Sequence, residues 1–177
     1  MALLTAAVVV VGMVGIVNLV LTFGVIRRLR EHQELLRRGP QGRPISGLAL
    51  GATVADFAVR TRAGDRRSNV DFSGDTLVGF FSVGCQPCED LVPRFVEAAR
   101  THPGGPARVL AVVTGRDGDT LADALSPVAG VVVGADADTV ARAFQVGAYP
   151  TLMLIDGNGR VRANDLQLDH LPDLVAA

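Results

Sequence analysis

Phe80-Phe81-Ser82-Val83-Gly84-Cys85-Gln86-Pro87-Cys88-Glu89-Asp90-Leu91-Val92-Pro93 is the stretch on which the reading of this chain turns. Leu77 to Val83 is a short, largely apolar run with β-branched and aromatic residues, the pattern of a strand covered on both faces. After Gly84 the period changes, and Leu91, Val92, Phe95, Val96 and Ala99 fall on one helical stripe. Cys85 therefore lies at or just before a helix N-terminus, where unpaired backbone N–H groups and the helix dipole favour a thiolate. Cys88 lies one turn further in, within reach of a disulfide to Cys85. Gln86 and Pro87 complete the junction, and Pro87 suits the first turn because its missing N–H has no helical partner there. Pro93, inside the same helix, removes a hydrogen bond and predicts a kink. Such a pair at such a junction is a redox pair.

Two other uses of the cysteines compete with redox chemistry. They are the only two in 177 residues, and chance alone would place two cysteines three apart in about 1% of chains of this length. Structural zinc needs four ligands, and only His32, His102 and His170 are available to join the pair. Those histidines lie far apart without ligand spacing, so no metal is expected, and no cofactor beyond the Cys85–Cys88 pair itself. An inert pair is the other alternative. With no further cysteine there is no structural disulfide, and cysteine usage does not say which side of a membrane the domain faces. A net charge of −1 with no basic face beyond one arginine cluster argues against nucleic acid as a partner.

Much of the 49% hydrophobic fraction comes from the N-terminus. Residues 2–26 contain no charge and exceed the length needed to cross a hydrocarbon core of about 30 Å. A cleaved signal peptide would want a charged start, a shorter apolar core and a small-residue cleavage site; none is present, so an uncleaved single-pass anchor in the lipid bilayer is expected. Asn18 in its interior is either a helix-association point or one tolerated amide. Arg27, Arg28, Arg30, Arg37, Arg38 and Arg43 all follow the apolar run. By the positive-inside rule that distribution puts the rest of the chain in the cytoplasm.

The expected organisation is an anchor over 1–26, a juxtamembrane helix and linker over 27–48, and one domain over 49–177. Glu34 and Arg38 pair at i,i+4 on the juxtamembrane helix, Gly39-Pro40 stops it, and Gln41 to Leu48 reads as linker. In the domain, strands are predicted over Asp56–Arg60, Asn69–Phe72, Thr76–Val83, Arg108–Thr114, Val131–Val133, Thr151–Ile155 and Arg160–Ala163. Helices are predicted over Pro87–Arg100, Asp119–Leu125, Asp138–Phe144 and His170–Val175. Asp156-Gly157-Asn158-Gly159 forms a hairpin turn. Mixed βαβ units followed by a hairpin imply an α/β fold, a central mixed sheet flanked by helices. Asp117-Gly118-Asp119 and Asp156-Gly157-Asn158-Gly159 resemble fragments of calcium loops, but the closing glutamate is missing and both read as turns.

From Ala49 onward the chain resembles the thioredoxin fold, and within it the membrane-anchored TlpA-like thiol-disulfide oxidoreductases. Four features carry the resemblance: Cys85-Gln86-Pro87-Cys88 after a strand, with Pro93 at the family's kinking position; Phe144-Gln145-Val146-Gly147-Ala148-Tyr149-Pro150-Thr151; the hairpin Ile155-Asp156-Gly157-Asn158-Gly159-Arg160-Val161; and Leu50-Gly51-Ala52-Thr53-Val54-Ala55-Asp56-Phe57, with Ala55 where proline is common. The order of anchor, arginine-bearing segment and domain also resembles, less specifically, MauD-type proteins of methylamine utilisation. The resemblance implies a cis Pro150 opposite the cysteines, with Tyr149 presenting its backbone to a bound substrate chain.

It further implies thiol–disulfide exchange with a client protein. Cys85 attacks a client disulfide, Cys88 resolves the mixed disulfide, and a membrane redox donor or acceptor resets the pair. The clients implied by family analogy are cysteines of cytochrome c or of an amine dehydrogenase, and the domain would then face the extracytoplasmic side, against the arginine distribution. Three departures bear on the chemistry: Gly84 replaces a common tryptophan, Gly79 stands where thioredoxin has a buried aspartate, and no tryptophan occurs at all. Glu89 and Asp90 are either proton-transfer groups or solvated acids of the first turn. Ser82 three residues before Cys85 matches a fragment of the peroxiredoxin motif, which makes thiol peroxidase one alternative function. A non-catalytic thioredoxin-like binding module is the other.

Overall fold

The computed structural model describes residues 12–13, 46–164 and 168. The chain divides into two compact units, Met1–Pro44 and Ile45–Ala177. In the first only Gly12 and Met13 are described, and both are helical. The rest of the expected anchor, the juxtamembrane helix and the expected helix over His170–Val175 lie outside the described residues. Among the described residues no helix is long and apolar enough to cross a membrane.

The second unit is built on a five-stranded sheet whose spatial order is β5-β4-β3-β6-β7. Strand β3 (Thr76–Ser82) lies in the middle, parallel to β4 (Val109–Thr114), which is parallel in turn to β5 (Gly130–Val133). On its other side β3 runs antiparallel to β6 (Thr151–Ile155), and β6 to β7 (Val161–Asn164). Alternation divides the buried apolar side chains of the strands between two cores. Leu77, Phe81, Val109, Ala111, Val113, Leu152 and Leu154 point to one face. Val78, Phe80, Leu110, Val112, Met153 and Ile155 point to the other. Near-continuous apolar strands buried on both faces are what the sheet requires, and they made the strands readable.

Helices α1 (Gln86–Thr101) and α2 (Asp119–Leu125) cover the first face through Val92, Phe95, Ala99, Ala122 and Leu125. Helix α3 (Gly134–Ala143) covers the second through Ala137, Val140 and Ala141. There Phe57, Phe72, Phe80 and Phe144 meet, with Phe80 and Phe144 centroids 5.1 Å apart. The expected mixed sheet flanked by helices is what forms.

Three elements depart from their sequence readings. The strand expected over Asn69–Phe72 is a 3-10 turn at Asn69–Asp71, and the second strand of the hairpin is β2 (Arg66–Ser68), paired with β1 (Ala58–Arg60). Asp71 explains the shift: its carboxylate accepts from both the Ser68 N–H and the Ser68 hydroxyl at 2.7 Å, which curls the chain at Ser68. Helix α3 begins at Gly134 rather than Asp138, because β5 runs straight into it with Val133 as the capping residue. The loop expected over Thr101–Pro106 is shortened from both ends, by the last turn of α1 and by a 3-10 turn over Gly105–Arg108. Packing of this unit is already present inside the stretch read as linker, where Leu48 is buried.

Candidate active site

Strand β3 carries the chain to the cysteines at its C-terminal end, in the middle of the sheet. Beyond Ser82 the Val83 N–H still donates to the Thr114 carbonyl at 3.0 Å, so the chain is held two residues before Cys85. Gly84 then takes φ +72°, with open space where a side chain would go. That left-handed turn, which only glycine adopts without cost, aims the chain into α1. A β-carbon is absent there for backbone reasons, and the common tryptophan of the resemblance has no counterpart.

Cys85 is the capping residue of α1; its carbonyl accepts from the Cys88 N–H at 2.8 Å and the Glu89 N–H at 3.1 Å. The two cysteines form a disulfide with their Cα atoms 5.2 Å apart. Their environments differ. Cys85 is half-buried and Cys88 fully buried against the core. Gln86 and Pro87 are exposed, and the Gln86 amide donates to the Asp90 carboxylate at 3.0 Å along the helix surface, not across the sulfurs. Glu89 and Asp90 both face solvent. Pro93 is inside α1 on its exposed side, and it has no N–H to donate along the helix.

The position of Gly79 is occupied by aromatic rings. A β-carbon there would come within 2.7 Å of the Phe95 ring and 2.8 Å of the Phe81 ring. Phe81 and Phe95 meet edge-to-face with centroids 5.2 Å apart. A larger side chain at Gly79, a carboxylate included, would need these rings to move.

The Tyr149–Pro150 bond is cis, as the resemblance implied. Thr151, which opens β6, pairs with Phe80 of β3, so Tyr149 and Pro150 emerge at the sheet end from which Cys85 leaves. Tyr149 is half-buried and packs on the same core as Cys85 and Cys88. Register, not sequence proximity, unites the two segments. On the opposite side the loop from Gly115 to Gly118 closes against Val83, where a β-carbon on Gly115 would lie 3.1 Å from the Val83 side chain. Sequence reading takes Asp117-Gly118-Asp119 in this loop as a turn, and nothing local to it signals Val83 as its neighbour.

Among the described residues no group of three or more His, Cys, Asp or Glu could hold a metal ion. His102 is buried at the far end of α1 from the cysteines, its Nε2 2.9 Å from the Asp75 carbonyl oxygen. His32 and His170 lie outside the described residues. The Asp156 carboxylate accepts from the Asn158 and Arg160 N–H groups at 2.8 and 2.9 Å, so it organises a turn. Asp119 faces Arg62 at 3.4 Å at the start of α2.

Solved structures match this unit over nearly their whole length. The thioredoxin domain of a thiol-disulfide oxidoreductase from Bacteroides vulgatus is 19% identical with a TM-score of 0.58, covering 72% of this chain and 99% of its own. A thio-disulfide isomerase from Thermus thermophilus is 17% identical with a TM-score of 0.59, covering 73% and 96%. A thiol:disulfide interchange protein of the thioredoxin family from Chlorobium tepidum is 18% identical with a TM-score of 0.56, covering 73% and 97%. No protein-family model matches the chain, and no curated protein does. At these identities the likeness establishes architecture: the domain has the thioredoxin-like α/β fold, and the structures that share it here are thiol-disulfide oxidoreductases.

Proposed function

We propose that the chain is a membrane-tethered thiol-disulfide oxidoreductase that exchanges disulfides with client proteins through Cys85 and Cys88. One observation carries the reading: a disulfide at the start of α1 that joins a half-buried cysteine, Cys85, to a fully buried one, Cys88. Cys85, the more exposed of the two residues and the one at the helix N-terminus, is the nucleophile, because the helix end favours a thiolate. The Cys85 thiolate attacks a client disulfide, forming one S–S bond and expelling a client thiolate that takes a proton from water. The Cys88 thiolate then attacks Cys85, releasing the second client thiol. Two electrons pass to the client and the pair is left oxidised. A membrane dithiol donor resets it, and the same steps in reverse make the protein an oxidant. The TlpA-like resemblance supports an anchor over residues 2–26, an extracytoplasmic domain and clients such as cytochrome c or an amine dehydrogenase.

The test is insulin reduction with dithiothreitol as electron source. Cys85→Ser should abolish turnover, and Cys88→Ser should accumulate a mixed disulfide visible on a non-reducing gel. Full client binding by Cys85→Ser with no turnover by wild type would instead favour a binding module. Peroxide turnover surviving Cys88→Ser with added thiol would favour a peroxidase.

A further inference from the structure

The loop that carries Tyr149 and Pro150 is held by a residue about a hundred positions away. Ser46 Oγ accepts from the Ala148 N–H at 2.8 Å and the Gly147 N–H at 3.1 Å, and donates to the Ala148 carbonyl at 3.1 Å. A serine hydroxyl has one donor and two acceptor sites, and here all three are used on one loop. Ser46 is itself seated firmly. The next residue, Gly47, takes φ +96° over Met153, whose terminal methyl lies where a β-carbon would go. Leu48 is buried, donates to the Phe144 carbonyl at 3.0 Å and accepts from the Asn164 amide at 2.7 Å. Thr151 adds a second hydroxyl to the Ala148 carbonyl at 2.8 Å. Tyr149 comes immediately after these pinned groups, and among the described residues no hydrogen bond reaches its backbone.

We propose that Ser46 is a positioning residue for client recognition. It fixes the Gly147–Ala148 backbone so that the Tyr149 N–H and C=O are held ready for an extended polypeptide flanking the client disulfide. Both Gly147 and Ala148 are exposed; without the hydroxyl their N–H groups turn to water and the loop loses its single conformation. The proposal rests on the oxidoreductase reading and concerns the binding of a polypeptide, not the reactivity of the sulfurs. A disulfide without a peptide backbone therefore feels no effect.

The experiment uses the full chain in detergent micelles and two probes, insulin and hydroxyethyl disulfide. Ser46→Ala is expected to slow insulin reduction about tenfold, the equivalent of one hydrogen bond of typical net strength, and to leave hydroxyethyl disulfide reduction unchanged. Ser46→Thr, which keeps the hydroxyl, restores the insulin rate. Hydrogen exchange at the Gly147 and Ala148 amides accelerates in Ser46→Ala alone. Equal losses with both probes, or an unchanged insulin rate, overturn the proposal; so does amide protection that survives Ser46→Ala. A wild-type chain that reduces neither probe defeats the oxidoreductase reading instead, and the amide exchange still decides the clasp.

Discussion

Gly84 shows how one residue shapes the site without touching any ligand. The space around its Cα is open while its φ is +72°, so the constraint is on the backbone alone. Gly84→Val should cost about 1–2 kcal/mol, the cost of a left-handed conformation for a residue with a β-carbon. Gly84→Asn should cost clearly less, since asparagine visits that region readily. Urea unfolding of the oxidised protein measures both; equal losses would mean that the cost is not conformational. Gly79 is the opposite case, where the backbone is ordinary and the space is full. The two glycines look alike in the sequence and are required for unrelated reasons.

At the scale of the element, α1 joins the chemistry to the core. Its buried stripe of Cys88, Val92, Phe95 and Ala99 lies on the sheet, while Glu89, Asp90 and Pro93 face water. Phe95 is the centre of that contact. Phe95→Ala should cost about 3–5 kcal/mol by loss of burial and creation of a cavity. Gly79→Ala alone should cost about 1–3 kcal/mol by overpacking against the Phe81 and Phe95 rings. In the Phe95→Ala background the added methyl enters the vacated space, so its cost should fall or change sign. A double-mutant cycle by thermal unfolding reads this coupling; strict additivity would show that the rings do not fill the Gly79 position.

For the whole molecule, the proposed anchor puts the domain on one side of a membrane, and two features of the sequence point to opposite sides. The arginines after the apolar run favour the cytoplasm, and the TlpA-like resemblance favours the opposite side. The proposed function needs clients and a dithiol donor on the same side as Cys85. Cys85 is half-exposed, so after mild reduction a membrane-impermeant maleimide in intact cells should label it without lysis. Labelling only after lysis would place the domain in the cytoplasm and remove exported proteins from the list of clients.

Most of the domain was legible in sequence because its strands are buried on both faces. Apart from their polar end residues, Thr76–Ser82, Val109–Thr114 and Thr151–Ile155 are unbroken apolar runs, a pattern that needs no tertiary knowledge to recognise. The same holds for the change of period at Gly84 and for the spacing of Cys85 and Cys88. The cis bond before Pro150 came from resemblance, not from any local signal. The short elements were misplaced where side chains override propensity, as Asp71 does by capturing Ser68.

What the sequence by itself determined was local: which segments form strands and helices, and that two sulfurs meet at a strand-to-helix junction. Only the tertiary structure decided which distant residues share that end of the sheet. The register of β3 with β6 brings Tyr149 and Pro150 to the level where Cys85 leaves. The Phe81–Phe95 contact fills the position of a possible carboxylate, and Ser46 reaches the Gly147–Ala148 backbone from about a hundred residues earlier in the chain. The physical reason is that strand register and hydroxyl hydrogen bonds are set by three-dimensional fit between segments, and a period of two or 3.6 residues carries no information about the partner.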